Sequence, residues 1–277
     1  MNTISNLKSK GFISVPYPPQ LKQSVIEAQR CWEAFCNLPA EAKRSFPYSN
    51  SSAGVGYEDK TVSGTSADRK ENFDLSVGDR VWLEKQAETI NNPTISAFIE
   101  AANKVARLIT PSITALAHDI ENEFGVEGFE KEVGEGSGSY FIRFIHYFPG
   151  ATAGQEIAEA HTDQSGMTAH LFETAPGFEC LSHDMKWEPV DVSNGEMLVI
   201  PSMQLQIRSE GQLKATVHRV VATNTTATTG RYSAVCFVRF ERTPKYQKEC
   251  GRLQDLHKND LGFNYRMSNE EFRKMFK

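Results

Sequence analysis

Two histidines and an aspartate raise the question of chemistry first. His161-Thr162-Asp163 sets an imidazole and a carboxylate two residues apart, and on an extended strand such residues face the same side. His218 lies inside LKATVHRVV, a different strand-like run, so a shared site needs a β core that brings it across. Two imidazoles and one carboxylate on one face of an ion leave other positions open. That set suits a non-haem iron(II) working with dioxygen. Arg231 and Ser233, again two apart, offer a guanidinium and a hydroxyl to a carboxylate-bearing co-substrate. Taken alone, a His-x-Asp pair is a weak signal that a surface or core-edge pair also produces.

The elements that must position these residues fall into three parts. GFISVPYP (11–18) reads as a short strand, and Val25, Ala28, Trp32 and Phe35 recur at helical spacing within 19–37. Pro39 suits the first turn of a second short helix, AEAKRSF. Residues 49–68 read as an exposed loop and DRKENFDLSV (68–77) as an extended segment. From Thr94, the apolar positions Ile95, Phe98, Ile99, Ala102, Val105, Ala106 and Ile109 mark a long helix, with Pro111 as a kink and Gly125 as its end.

Past residue 139 the pattern turns to β. SYFIRFIHYF, MTAHLFE, FECLS, EMLVIP, LQIRS, ATVHRVV and YSAVCFVRF are separated by turns at Ala175-Pro176-Gly177, Ser193-Asn194-Gly195 and Glu210-Gly211. GEGSGS before Tyr140 reads as a turn into this core. Ser268-Asn269-Glu270-Glu271 opens a last helix to Lys277. The fold class is mainly β with flanking helices, a sandwich or jelly roll. Residues 1–130 form an N-terminal helical region, and 131–277 form the core with a C-terminal helix, as one compact unit.

Composition narrows the partners. The 277 residues suffice for a sizeable core, with 39% hydrophobic and 23% charged residues. A net charge of −5 argues against general nucleic-acid binding. Five cysteines, an odd number without a CxxC pair, read as free thiols in a reducing compartment. No apolar stretch approaches the ~20 residues a membrane helix needs. The expectation is a cytoplasmic protein acting on a small molecule, with neither membrane nor nucleic acid as partner.

HTDQSGMTAHLFETAPGFECL, GEMLVIPSMQLQIRSEGQLKATVHRV and GRYSAVCFVRF, in that order, resemble the isopenicillin-N-synthase-like family of iron(II)/2-oxoglutarate dioxygenases. GFISV, FCNLPAEAKRSF, Gly56-Tyr57 and DRKENFDL extend the resemblance over nearly the whole chain. It implies a double-stranded β-helix core holding Fe(II) at its mouth, with 2-oxoglutarate and O2 as co-substrates. His161, Asp163 and His218 would be the metal ligands and catalytic centre. Arg231 and Ser233 would hold the distal carboxylate of 2-oxoglutarate.

The family's tyrosine immediately before a proline is displaced here, because Phe148 stands between Tyr147 and Pro149. Tyr147 is therefore a co-substrate candidate whose facing depends on strand register. Phe237, Arg239 and Arg143 are substrate candidates. Each also reads as a core aromatic or a solvated strand charge. His118, His146, His170, His183 and His257 lack a partner at ligand spacing and read as hydrogen-bonded or exposed.

The implied activity is oxidation of a small-molecule substrate, hydroxylation first, with release of succinate and CO2. An iron oxidase of the same fold that does not use 2-oxoglutarate is one alternative. A zinc hydrolase with Glu173 as base is another. Loop 49–68 and the C-terminal helix are the expected cover of the mouth.

Overall fold

The computed structural model describes residues 3–49, 54–63, 69–135, 140–192, 195–240 and 244–276. The expected turns at GEGSGS and Ser193-Asn194, and part of loop 49–68, lie outside the described residues. Among the described residues, eleven strands build two antiparallel sheets. They are β1 (Ile13–Pro16), β2 (Gly56–Asp59), β3 (Lys70–Ser76), β4 (Tyr140–Tyr147), β5 (Glu156–His161), β6 (Met167–Glu173), β7 (Phe178–Leu181), β8 (Trp187–Pro189), β9 (Glu196–Pro201), β10 (His218–Val221) and β11 (Arg231–Val238). The larger sheet runs β1-β9-β6-β11-β4-β3-β2 and the smaller β5-β10-β7-β8. This is a jelly-roll, double-stranded β-helix core with N- and C-terminal helices. Residues before 131 also donate β1, β2 and β3 to the larger sheet.

The two faces of the larger sheet are buried by different partners. One receives the Pro19–Cys36 and Pro93–Phe124 helices, where Phe98 packs within 5.2 Å of Trp32, Phe35, Phe73 and Phe144. Trp32 is fully buried, and its indole N–H donates to the Ile145 carbonyl at 3.2 Å. The other face turns toward the smaller sheet, through Ile145, Val235, Leu198 and Ile200 against Ala158, Phe178 and Val220. The long helix begins where the Asn92 side chain accepts from Thr94 N and Ile95 N, runs through Pro111 and stops at Gly125 in the left-handed region.

Two departures from the sequence pattern matter for the site. LQIRS, expected as a strand, lies in the Met203–Arg208 helix, closed by Gln206 N→Ser202 O and Ser209 N→Leu205 O bonds. Over five residues an alternating apolar pattern and one helical face coincide, so periodicity does not separate them. The Pro244–Asn259 helix was not expected at all, although Cys250, Leu253 and His257 are buried at helical spacing. The capping box is present: Ser268 and Glu271 exchange bonds between backbone and side chain.

A buried polar hub ties the N-terminal region to β4. Glu71, 1% exposed, accepts from Lys43 Nζ (2.5 Å), Tyr57 Oη (2.6 Å) and His146 Nδ1 (2.8 Å). Cys36, Glu71 and His146 lie close enough to share an ion. The Lys43 ammonium already supplies the positive charge there, so the cluster is a satisfied structural network. Burial works to raise the Glu71 pKa, but the three donors outweigh it and bring it from 4.5 to about 2.

A carboxylate with a depressed folded pKa stabilises above its unfolded value and loses that stability as pH falls through the folded one. The hub's contribution is therefore complete at neutral pH and disappears between about pH 4.5 and 2. Glu71→Ala should cost ~3–5 kcal/mol at pH 7 by stranding the Lys43 charge. Urea unfolding measures this, and a variant with the wild-type midpoint contradicts the hub's role.

Candidate metal centre and its cavity

The local chain path brings His161, Asp163 and His218 together. His161 ends β5 and His218 begins β10, paired directly opposite in the smaller sheet. Asp163 sits two residues beyond the end of β5, in the turn toward β6, and not on the strand itself. Its Oδ1 is 3.6 Å from His161 Nε2 and its Oδ2 is 3.8 Å from His218 Nε2. Ligand atoms of all three lie within 4.8 Å of one another.

The surroundings orient these donors for a cation. His161 Nδ1 donates to the Glu159 carbonyl (2.6 Å) and His218 Nδ1 to the Thr216 carbonyl (3.1 Å). A carbonyl at Nδ1 fixes the proton there and leaves the Nε2 lone pair directed at the third group. Burial, with His161 nearby, pulls the His218 pKa down to about 4, so this imidazole is neutral at physiological pH. Burial acts to raise the Asp163 carboxyl, but His218, His161 and the Thr168 hydroxyl hold it below the usual range. Thr168 Oγ1 donates to Asp163 Oδ2 at 2.6 Å. Two imidazoles and one carboxylate with lone pairs converging fit a divalent metal.

The triad opens onto a cavity of ≈ 880 Å³ between the two sheets. Arg231, Ser233, Val235 and Phe237 of β11 line it on alternate positions, followed by Arg239 just past the strand. Phe141, Arg143, Ile145 and Tyr147 of β4 do the same.

The β4–β11 register is unbroken from Tyr140↔Val238 to Tyr147↔Arg231. Tyr147 therefore faces the cavity without a bulge, and Phe148 lies outside the strand. Gly230 permits this pairing. It has φ +77°, and a Cβ there would fall 2.7 Å from the Tyr147 carbonyl.

Arg231 is buried and held from behind. Its Nε donates to the Ala175 carbonyl at 3.0 Å and its Nη2 to Glu173. The Tyr147 ring lies 5.7 Å from the guanidinium. Glu173 is absent from the cavity lining and engaged with Arg231, which removes the carboxylate considered as a hydrolytic base. Burial raises its pKa against the opposing pull of Arg231.

Of the substrate candidates, Phe237 stacks on Phe141 (centroids 4.9 Å, planes 23° apart). Arg143 lines the cavity but is paired through two bonds with buried Asp74, at 2.7 and 2.6 Å. Arg239 lies 4.2 Å over the Phe141 ring.

Two side chains that sequence reasoning left outside the site line the cavity, and among the described residues the cover differs from the one expected. His170 is buried and lines the cavity, 6.0 Å from the His218 ring, with Nε2 unpartnered. The alternation of Thr168 and His170 on β6 was the available signal. Lys70 lines the cavity beside Tyr147, its Nζ 5.6 Å from that ring.

The cover comes from the Pro244–Asn259 helix, through Gln247, Cys250 and Gln254. The Asn269–Phe276 helix contributes no described residue to the lining. Its Phe272 packs with Met203, Ala215 and Leu253 instead. The described residues of loop 49–68 do not line the cavity either.

Residues 140–240 match the family described as the 2OG-Fe(II) oxygenase superfamily. Leucoanthocyanidin dioxygenase of Vitis vinifera is 28% identical over 197 residues, 68% of this chain and 52% of the relative. The chain thus spans about half the length of the curated relatives it matches.

Among solved structures, the 2-oxoglutarate complex of dioxygenase for auxin oxidation 1 from Arabidopsis thaliana has a TM-score of 0.68 at 18% identity. The match covers 86% of each chain. The dioxygenase for auxin oxidation in rice has a TM-score of 0.67 at 22% identity, covering 85% of this chain and 76% of that one. At these identities the structural likeness concerns the fold. No helix among the described residues is long and apolar enough to cross a membrane.

Proposed function

We propose that this chain is an iron(II)- and 2-oxoglutarate-dependent dioxygenase of the 2OG-Fe(II) oxygenase superfamily, whose family description matches residues 140–240. It oxidises a small-molecule substrate, by hydroxylation first, and releases succinate and CO2. The observation that carries this reading is one cavity lined by both the His161–Asp163–His218 face and the Arg231–Ser233–Tyr147 wall.

In this reading, His161 and His218 present Nε2 and Asp163 its carboxylate to Fe(II). Bound iron supplies the redox chemistry that couples O2 reduction to decarboxylation of 2-oxoglutarate and oxidation of the substrate. The protein's own part is placement. The Nδ1–carbonyl bonds keep both imidazoles in the ligating tautomer, and Thr168 keeps Asp163 turned between them.

Arg231, anchored by Glu173 and Ala175, offers its guanidinium to the distal carboxylate of 2-oxoglutarate. Ser233 adds a hydroxyl donor on the same face and Tyr147 a phenol from the paired strand. Val235 and Ile145 keep the space between them apolar. Residues 131–277 serve as the catalytic core with 1–130 as its support. Five unpaired cysteines favour a cytoplasmic setting.

The testing experiment is a panel of small acids, amino acids and their conjugates scored by succinate release from iron-loaded enzyme. Substrate-stimulated succinate supports the reading, and substrate consumption without succinate contradicts it. Thr168→Val should weaken iron binding ~10–100-fold, because the carboxylate loses the bond that aims it. An iron titration checks this, and unchanged affinity contradicts the role.

A further inference from the structure

Arg231 and Arg239 mark two ends of the cavity wall. Eight residues of extended chain separate them, ~26 Å at ~3.3 Å per residue, and both side chains line the same cavity. Arg231 has Glu173 behind it and Arg143 has Asp74, so each of those charges has a protein counter-ion. Arg239 differs. Its Nη1 is buried without a hydrogen-bond partner, and no acidic side chain among the described residues is paired with it.

A buried guanidinium nitrogen left unpaired is costly and calls for an acceptor. The acidic groups lining the cavity are Asp163, engaged by Thr168, and Glu159, exposed on β5. The other polar groups of the covering helix that face this region, Gln247 and Gln254, are neutral. Beside Arg239 stand the Phe141 and Phe237 rings, stacked on each other, with the guanidinium 4.2 Å over the Phe141 ring.

From this we infer that the substrate is a carboxylic acid with an apolar body. Its carboxylate pairs with Arg239 while its apolar body lies beside Phe237, toward the His161–Asp163–His218 face. A guanidinium gives a carboxylate two parallel donors, and the neighbouring aromatic rings exclude water from the pair. A ring-faced guanidinium is also held in plane, which lowers the ordering cost of binding. The inference rests on the proposed co-substrate reading, because it needs Arg231 to be committed to 2-oxoglutarate.

The test uses the full chain loaded with Mn(II) and 2-oxoglutarate, titrated calorimetrically. The probes are benzoate, phenylacetate and 3-phenylpropanoate, each beside its primary amide. At least one acid should bind tenfold or more tighter than its amide. Arg239→Gln should erase that preference, and Arg239→Lys should keep part of it. Equal binding of acids and amides, no binding of any acid, or a preference that survives Arg239→Gln overturns the inference alone. Failure of 2-oxoglutarate itself to bind overturns the co-substrate reading and the inference with it.

Discussion

Asp163→Ala should leave a folded protein that no longer retains iron, with succinate formation reduced by more than ~100-fold. Losing even an outer partner of a ligand typically costs 10–100-fold, and Asp163 is the carboxylate between the two Nε2 atoms. Without it, two imidazoles remain and no carboxylate offsets the ion's charge. The structural cost is small, since Asp163 lies in a turn and its side chain is held by the Thr168 hydroxyl. Metal analysis and thermal melting together separate loss of the ion from loss of the fold. An Asp163→Ala protein that keeps stoichiometric iron and wild-type turnover contradicts the assignment of the triad.

Arg231→Ala should have two separable effects. Removing the guanidinium strands the buried Glu173 carboxylate, whose Oε1 already lacks a partner, so stability should fall by ~3–5 kcal/mol. Loss of a buried charge-paired contact to 2-oxoglutarate is worth ~2–5 kcal/mol, which at ~1.4 kcal/mol per decade is about 30- to 4,000-fold in affinity.

The sign of the pH dependence follows from Glu173, whose pKa burial already raises. Without Arg231 it rises further, so the folded state holds a proton that the unfolded state releases. The variant's stability should therefore fall as pH rises. Combining Arg231→Ala with Glu173→Gln should restore much of the stability but none of the 2-oxoglutarate binding. Unfolding curves at pH 5 and pH 8, beside co-substrate titrations, check both halves. Recovery of 2-oxoglutarate affinity in the double variant contradicts the role of Arg231.

The strand-like runs were legible because they depend on local alternation, and the His161-Thr162-Asp163 motif was legible as a pattern although Asp163 lies in the turn past β5. Arg231, Ser233 and Phe237 share a face by their two-residue spacing, and MTAHLFE and YSAVCFVRF carry the pattern directly. The facing of Tyr147 was not legible. It depends on where β4 ends against β11, a tertiary fact that Gly230 makes possible.

His170 reads from sequence as hydrogen-bonded or exposed because its significance lies in a cross-sheet neighbour, His218, and not in a sequence neighbour. The covering helix at 244–259 was hidden by a polar sequence whose few buried positions meet the site only in three dimensions. Arg239 was ambiguous for the opposite reason. A charge at a strand end is ordinarily solvated, and only the stacked phenylalanines beside it give it a cavity to face.

The central claim is that iron and 2-oxoglutarate act together in one cavity. Its most direct test is the stoichiometry of succinate formed to 2-oxoglutarate consumed by the wild-type protein, reconstituted with Fe(II) and exposed to O2. The prediction is one succinate for each 2-oxoglutarate, with formation lost on chelation of iron and in Asp163→Ala. Iron-dependent O2 consumption without succinate, or turnover sustained by zinc in the absence of O2, would contradict it.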